Sequence, residues 1–310
     1  MPGIGIITNP HSKENKRNPE RAELMSYIVG TKGKLVITED LSHLEQVARH
    51  FRDSNVEILA INGGDGTISR TITAFIRNYG DKPLPKIALL RGGTMNVLAS
   101  NLGLRGRPER LLYKLVEGYS DLDTTAIKEI RTLKMDELYG FVYADGVAYR
   151  FLAEFYKSKK HWLAAIAFLA KIVLSTLVRG KLYKKIVHSD DSVVTINDKQ
   201  SIPTKTTAVF VSTIEKLSFG ARMFKELGFH PDRFESLFIN SSPNRLLFNI
   251  PSILLRRFPG TKVKESICTN RIGIKRGPGF PYSLDGELHN SVNPKLEITL
   301  GPSIRFLSKF

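Results

Sequence analysis

Four short stretches carry residue types that handle phosphate or move a proton: 9–13, 63–67, 92–96 and 283–287. Gly63-Gly64-Asp65-Gly66-Thr67 follows an apolar run and precedes a helical pattern. A phosphate needs backbone N–H donors at close range, and glycine lets the backbone approach that closely. The helix that follows adds its positive N-terminal end. Asp65 either holds a Mg²⁺ ion or orders the glycine loop. The pattern is neither a Walker A loop nor a Gly-x-Gly-x-x-Gly fingerprint. Gly92-Gly93-Thr94-Met95-Asn96 repeats the logic one strand later, with a hydroxyl at Thr94 and an amide at Asn96. Either of these is otherwise an ordinary helix N-cap. Asn9-Pro10-His11-Ser12 closes the first apolar run, where Ser12 is placed to bond a phosphate or simply to make a surface turn. In Ser283-Leu284-Asp285-Gly286-Glu287, Asp285 is a candidate to accept the proton of a hydroxyl nucleophile. Asp-Gly is also a common hairpin turn.

These stretches need a scaffold that brings them together, and the first 120 residues alternate strand and helix. Apolar runs at 4–7, 34–38, 56–61 and 86–90 have strand length. Helical patterns cover Pro19 to Val29, Ser42 onward, and Thr67 to about Asn78, and another helix opens at Asn96. Ser42 and Glu45 have the spacing of a capping box, followed by an apolar stripe of Leu44, Val47, Ala48 and Phe51. Strands alternating with helices imply right-handed βαβ crossovers and a parallel sheet. In such sheets ligands sit at the carboxyl ends of the strands, where the turns at 8–13, 62–67 and 91–96 fall. After about Leu122 the texture becomes β-rich, with strand-like segments at 140–144, 192–197, 207–212, 235–240, 271–275 and 296–300 and one helical insert near 160–178. The expected architecture is an α/β domain over 1–124, a β-rich domain over 125–297, and a tail over about 298–310 returning to the first.

The chain has 310 residues, 42% hydrophobic and 25% charged, an ordinary globular composition. A single cysteine, Cys268, excludes an intramolecular disulfide and a multi-cysteine zinc site. No secretory signal pattern opens the sequence, and the longest apolar stretch, Trp162 to Val178, is broken by Lys171. The expectation is a cytoplasmic chain. Net charge is +16, with +5 in the first 120 residues and +11 in the rest. That excess favours polyanions such as nucleotides, nucleic acid or an anionic bilayer.

In the order and separation of these motifs the chain resembles the diacylglycerol kinase catalytic domain family, which includes bacterial lipid kinases and sphingosine kinases. The resemblance rests on Asn9-Pro10-x-Ser12, Gly63 to Thr67, Gly93-Thr94-Met95-Asn96 and Asp285-Gly286-Glu287, over essentially the whole chain. Gly-Gly-Asp-Gly alone is shared with NAD kinases and phosphofructokinases; the other three point to lipid kinases. The resemblance implies a nucleotide-binding α/β domain, a C-terminal β-sandwich, and ATP with Mg²⁺ in the cleft between them. It places Asn9, Pro10, His11, Ser12, Lys13, Thr38, Gly64, Asp65, Gly66, Thr67, Ile68, Ser69, Arg70 and Thr94 against ATP. Gly63 and Asn96 join them from the loop patterns. Asp285 is implied as general base with Glu287 beside it, and Asp65 and Asp123 are the metal candidates. The chain departs from the family at Lys13, where glycine is frequent, and at Val97, where aspartate is frequent. After Pro231-Asp232, the stretch Arg233-Phe234-Glu235 is shorter and less acidic than in relatives that hold a structural Mg²⁺ there.

From Tyr156 to Lys185 there are eight Lys or Arg, no acidic residue, and an apolar run between the basic clusters. A helix apolar nearly all round is buried or touches lipid, and basic flanks attract anionic headgroups. Leu246 to Phe258 is a second such stretch. The reading is an ATP-dependent lipid kinase acting on a diacylglycerol-, sphingoid- or ceramide-like hydroxyl, in peripheral contact with an anionic membrane and with no nucleic-acid partner. A soluble NAD kinase-like enzyme and a non-catalytic basic binding protein for nucleotides or nucleic acid are the alternatives. The oligomeric state is not legible, and a homodimer stays open.

Overall fold

The computed structural model describes residues 3–121, 127–157, 181–198, 200–217, 222–239, 264–308 and 310. Asp123, most of the basic apolar stretch (158–180) and the whole of 246–258 lie outside the described residues. The chain divides into two compact units. The first takes in Met1–Thr132, Glu137–Gly140 and Gly301–Phe310; the second takes in Leu133–Asp136 and Phe141–Leu300.

In the first unit, β1 (Ile4–Thr8), β2 (Gly33–Ile37), β3 (Ile58–Asn62) and β4 (Lys86–Leu89) pair in parallel in the order β2-β1-β3-β4. Residues of β1 and β3 are buried throughout, as expected of parallel strands covered on both faces. The helices are α1 (Lys13–Arg17), α2 (Arg21–Val29), α3 (Leu41–Asp53), α4 (Asp65–Tyr79), α5 (Val97–Asn101) and α6 (Pro108–Glu117). One sheet face, with Ile4, Ile6, Ile58 and Ala60, packs on Met25 and Val29 of α2 and Leu111, Leu112 and Leu115 of α6. The opposite face meets α3: a Cβ on Gly5 would stand 2.4 Å from the ring of Phe51, so this strand glycine makes room for the aromatic. Leu44, Val47, Ala48 and Phe51 are buried, as the 3.6-residue period predicts.

The start of α3 differs from expectation. Its N-cap is Asp40, whose Oδ1 accepts from the His43 N–H and from the Ser42 hydroxyl. Ser42 lies inside the helix, so Ser42 and Glu45 make no capping box. The helix starts two residues earlier because Asp40 is the better-placed acceptor for the first free N–H groups.

The second unit is antiparallel. It contains β7 (Val142–Asp145), β10 (Ala208–Ser212), β11 (Phe234–Ile239), β12 (Lys264–Thr269), β14 (Pro281–Leu284) and β15 (Glu287–Asn290), ordered β12-β11-β10-β7-β14-β15. A further ladder pairs β8 (Asp190–Ile196) with β9 (Gln200–Thr206) and with β13 (Arg271–Lys275). The strand β16 (Lys295–Leu307) pairs β13 along residues 295–299 and reaches β4 at Phe306, so its two halves serve different units. β5 (Ile127–Met135), which belongs to the first unit up to Thr132, and β6 (Leu138–Gly140), in the first unit, are the other described strands, and α7 (Val147–Lys157) and α8 (Lys181–Ile186) are the described helices of the second unit. Inside it, the buried Arg276 just after β13 reaches Asp145 of β7 at 3.2 Å and the hydroxyl of Thr206 in β9 at 3.0 Å, tying the two ladders together. Among the described residues no helix is long and apolar enough to cross a membrane.

Candidate phosphate-binding site

The order β2-β1-β3-β4 reverses between β1 and β3, and a crevice opens outside the carboxyl ends of the strands at such a reversal. The loop after β1 carries Asn9 to Ser12, and the loop after β3 carries Gly63 and Gly64. The loop after β4 carries Gly92 to Asn96. The sheet therefore brings these three stretches to one edge.

Direct bonds join the loops. Asn9 Nδ2 donates to Thr67 Oγ1 at 2.8 Å, across 58 residues of chain. The Asn9 backbone N–H donates to the Asn62 carbonyl at 3.2 Å. Asn9 Oδ1 accepts the N–H of His11, and the Ser12 hydroxyl donates back to the Asn9 carbonyl. This is an Asx-type turn, which the asparagine side chain makes by imitating backbone. His11 is exposed, Pro10 is half-buried, and Lys13 opens α1. Thr38 is buried one strand further out, its N–H on the Thr8 carbonyl.

The glycines answer first to packing between the loops. A Cβ on Gly93 would lie 2.3 Å from Gly64 Cα, and one on Gly92 would lie 2.9 Å from the Gly63 nitrogen. A Cβ on Gly63 would strike Thr67 at 2.4 Å. The two glycine loops thus touch backbone to backbone, closer than side chains permit. Gly64 is the N-cap of α4 and has no side chain to fill that role, so the first turn keeps its N–H groups free of a side-chain cap. Gly66 follows in that turn. Ile68 and Ser69 are turned into the protein, Ser69 with its hydroxyl on the Asp65 carbonyl, while Arg70 is exposed.

Asp65 Oδ1 accepts the Leu98 N–H at 3.3 Å, linking the head of α4 to the head of α5. Burial raises its pKa, and the N–H groups of Val97, Leu98, Asp65 itself and Asn96 work against that rise. Asn96 is itself buried, in the left-handed region at φ +47°. Its side chain accepts from the Gly93 N–H and donates to the Gly93 carbonyl at 2.8 Å, so it closes its own loop and leaves its amide little to offer a ligand. Thr94 and Met95, in contrast, are exposed at the loop tip. Mg²⁺ takes oxygen donors, commonly one or two carboxylates plus phosphate oxygens. Asp65 has turned an oxygen to backbone N–H groups, and among the described residues no group of three His, Cys, Asp or Glu is placed to hold an ion. The described residues do not assemble a metal site by themselves. Glu235 is likewise committed, accepting from the Glu226 N–H and the Ser266 hydroxyl.

In the second unit, Asp285 and Gly286 form the two-residue turn between β14 and β15, with φ of +48° and +86°. Both values are positive, as a type I′ hairpin requires. The Asp285 carboxylate accepts the N–H groups of Phe141 at 3.0–3.1 Å and Val142 at 2.8 Å, and the Asp285 N–H donates to the Val142 carbonyl at 2.8 Å. The Tyr156 hydroxyl at the end of α7 donates to the Gly286 carbonyl at 2.9 Å. Glu287 is half-buried at the first position of β15.

Sequence reasoning missed Asn15, Asn62 and Arg21, which lie buried beneath the first two loops. The available signal was Asn62 itself, a polar residue ending the otherwise apolar strand Ile58-Leu59-Ala60-Ile61.

Residues 4–126 match the family model of the diacylglycerol kinase catalytic domain. No protein of curated function matches the sequence. Among solved structures, two from Bacillus anthracis str. Sterne that carry a provisional diacylglycerol kinase name share the fold. One has a TM-score of 0.71 and the other 0.67; each is 16% identical and covers 98% of this chain and 96% of its own. A third from the same organism, named a diacylglycerol kinase, has a TM-score of 0.63 at 14% identity, with the same coverage.

Proposed function

We propose that this chain, whose residues 4–126 match a diacylglycerol kinase catalytic domain, is a kinase that transfers the γ-phosphoryl group of ATP to a lipid hydroxyl. The observation that carries the reading is the joining of three phosphate-type loops at one sheet edge by the Asn9–Thr67 and Asp65–Leu98 hydrogen bonds. The head of α4, where N-cap Gly64 has no side chain to cover the first turn, and the backbone of the glycine loops supply donors for phosphate oxygens. Mg²⁺ enters as part of the nucleotide substrate. In the transfer the acceptor oxygen bonds to the γ-phosphorus, the bond to the β–γ bridging oxygen breaks, and ADP leaves. The reading assigns the hydroxyl proton to the Asp285 carboxylate, whose orientation is set by the Phe141 and Val142 N–H groups.

The lipid half of the proposal draws on the family match and on the basic, apolar sequence from Tyr156 to Lys185. Those residues are proposed to rest on an anionic bilayer. The test uses radiolabelled ATP with diacylglycerol, a sphingoid base, ceramide, phosphatidylglycerol and soluble NAD, each lipid presented in anionic vesicles that are then floated. Label in a lipid, with the protein in the floated fraction, supports the reading. Label in NAD, or none in any lipid, rejects it.

A further inference from the structure

Under the first two phosphate loops lies a buried cluster of amides that the proposed reaction does not use directly. Asn15 of α1 is 6% exposed and Asn62, at the end of β3, is fully buried. Asn15 Nδ2 donates to two carbonyls, that of Asn9 at 2.8 Å and that of Asn62 at 3.2 Å. Its Oδ1 accepts from Asn62 Nδ2 at 3.2 Å and from Arg21 Nη1 at 3.4 Å. Arg21 is anchored in turn on Glu109 of α6. The amide has one orientation only, because a flip would aim Oδ1 at two carbonyls and Nδ2 at two donors. Asn15 thus spans the two strand ends that launch the phosphate loops. It holds the carbonyl of Asn9, whose own side chain reaches Thr67, and the carbonyl of the peptide leading into Gly63.

We propose that Asn15 is a positioning residue for the nucleotide phosphates, acting through Asn9 and the Asn62–Gly63 peptide. The proposal rests on the ATP reading of this edge. It explains why two amides and a guanidinium, Asn15, Asn62 and Arg21, are buried where apolar side chains pack most simply. Within this network Asn62 Oδ1 and Glu109 Oε2 have no partner among the described residues, whereas all four polar contacts of Asn15 are made, and such directional bonds fix a geometry that an apolar contact does not. Two neighbouring loops that must present N–H groups to one triphosphate need their relative register set to within a fraction of an ångström.

Asn15→Asp keeps the shape and removes both donors, facing an oxygen toward two carbonyl oxygens. Isothermal titration with ATP should show affinity lower by about tenfold or more, the scale of two lost hydrogen bonds. In turnover the KM for ATP should rise while the KM for the acceptor holds. Leu112→Ala, a core truncation distant in role, is the control: it should lower Tm and leave ATP affinity unchanged. If Asn15→Asp does not fold, Asn15→Ser, which cannot span both carbonyls and adds no charge, takes its place. Wild-type ATP affinity in the Asn15 variant overturns the proposal. So does an affinity loss that merely tracks Tm in both variants. If the wild-type protein itself fails to bind ATP, the ATP reading falls, and that outcome is recognisable before any variant is made.

Discussion

The dipeptide Asp-Gly occurs twice at the proposed chemistry, and the two copies take opposite local structures. Asp65-Gly66 opens a helix of fifteen residues, whereas Asp285-Gly286 forms a hairpin tip with both residues at positive φ. In both places the carboxylate accepts backbone N–H groups from a neighbouring segment: Leu98 for Asp65, Phe141 and Val142 for Asp285. The flanks explain the divergence. After Asp65 the apolar residues recur at helical spacing, Ile68, Ile72 and Phe75, all buried. Around Asp285 two short strands must reverse, and a type I′ turn matches their twist. The comparison teaches that an aspartate in a glycine-rich motif first serves the backbone. A chemical role has to be added to that service and tested apart from it.

The largest effect should come from Asp285→Asn. A general base contributes roughly 10²–10⁴-fold, so turnover should fall by about that factor. ATP affinity should hold, since Asp285 belongs to the second unit and the phosphate loops to the first. An asparagine can still accept one N–H but turns its NH₂ toward the other, so Tm should also fall slightly. Single-turnover kinetics with ATP titration separates the two effects. If turnover persists while Tm drops, Asp285 is a turn latch and nothing more, and the two Asp-Gly copies become equivalent.

Next is Gly93→Ala set against Gly64→Ala. The two residues touch, yet the contact is asymmetric. A Cβ on Gly93 meets Gly64 Cα at 2.3 Å, while one on Gly64 meets Gly93 Cα at an ordinary 3.4 Å. Gly93→Ala must push the loops apart, at a cost of about 1–3 kcal/mol typical of overpacking, and should weaken ATP binding with it. Gly64→Ala should keep Tm, because φ of −89° suits any residue. If it weakens ATP binding alone, a phosphate passes close to Gly64. Equal Tm losses in both would show that the two glycines crowd the opposing loop equally. Thermal melts with and without ATP give both readouts.

Much of this scaffold was legible in the sequence. Strands β1, β3 and β4 announce themselves as apolar runs ending in turn residues, and the α3 stripe follows the helical period residue by residue. The placement of the three loops at one edge follows from alternating strands and helices. What stayed hidden depends on contacts distant in sequence. The glycines at 92 and 93 read as phosphate seats, whereas their tightest demands are the Asn62 side-chain oxygen for Gly92 and Gly64 Cα for Gly93. Asn96 reads as a nucleotide contact or a helix cap; it takes the N-cap position of α5, but its side chain bonds Gly93 and not the first turn. Ser42 and Glu45 match a capping box in spacing, and Asp40, two residues earlier, caps α3 instead. Local pattern records which groups are available, and the fold then chooses among competing acceptors.

The smallest effect, and the one that bears most directly on the opening comparison, is expected at Asp65. Burial raises its pKa above the ordinary 3.8. In the folded state the carboxyl therefore holds its proton to higher pH than in the unfolded chain. Its contribution to stability is greatest below 3.8 and is lost as pH rises through the folded value; at neutral pH the ionised form carries the burial cost. Asp65→Asn removes the charge and retains an oxygen for the Leu98 N–H. Urea unfolding across pH 4–7 should show a flatter pH slope for this variant and stability at pH 7 equal to or above wild type. Asp65→Ala, which breaks the bridge to α5, should lose about 1 kcal/mol at pH 7, the scale of one hydrogen bond. The Mg²⁺ concentration giving half-maximal transfer should not move in Asp65→Asn. A large shift in that midpoint, with an unchanged pH slope of stability, would make Asp65 a metal ligand and end its likeness to the turn at Asp285.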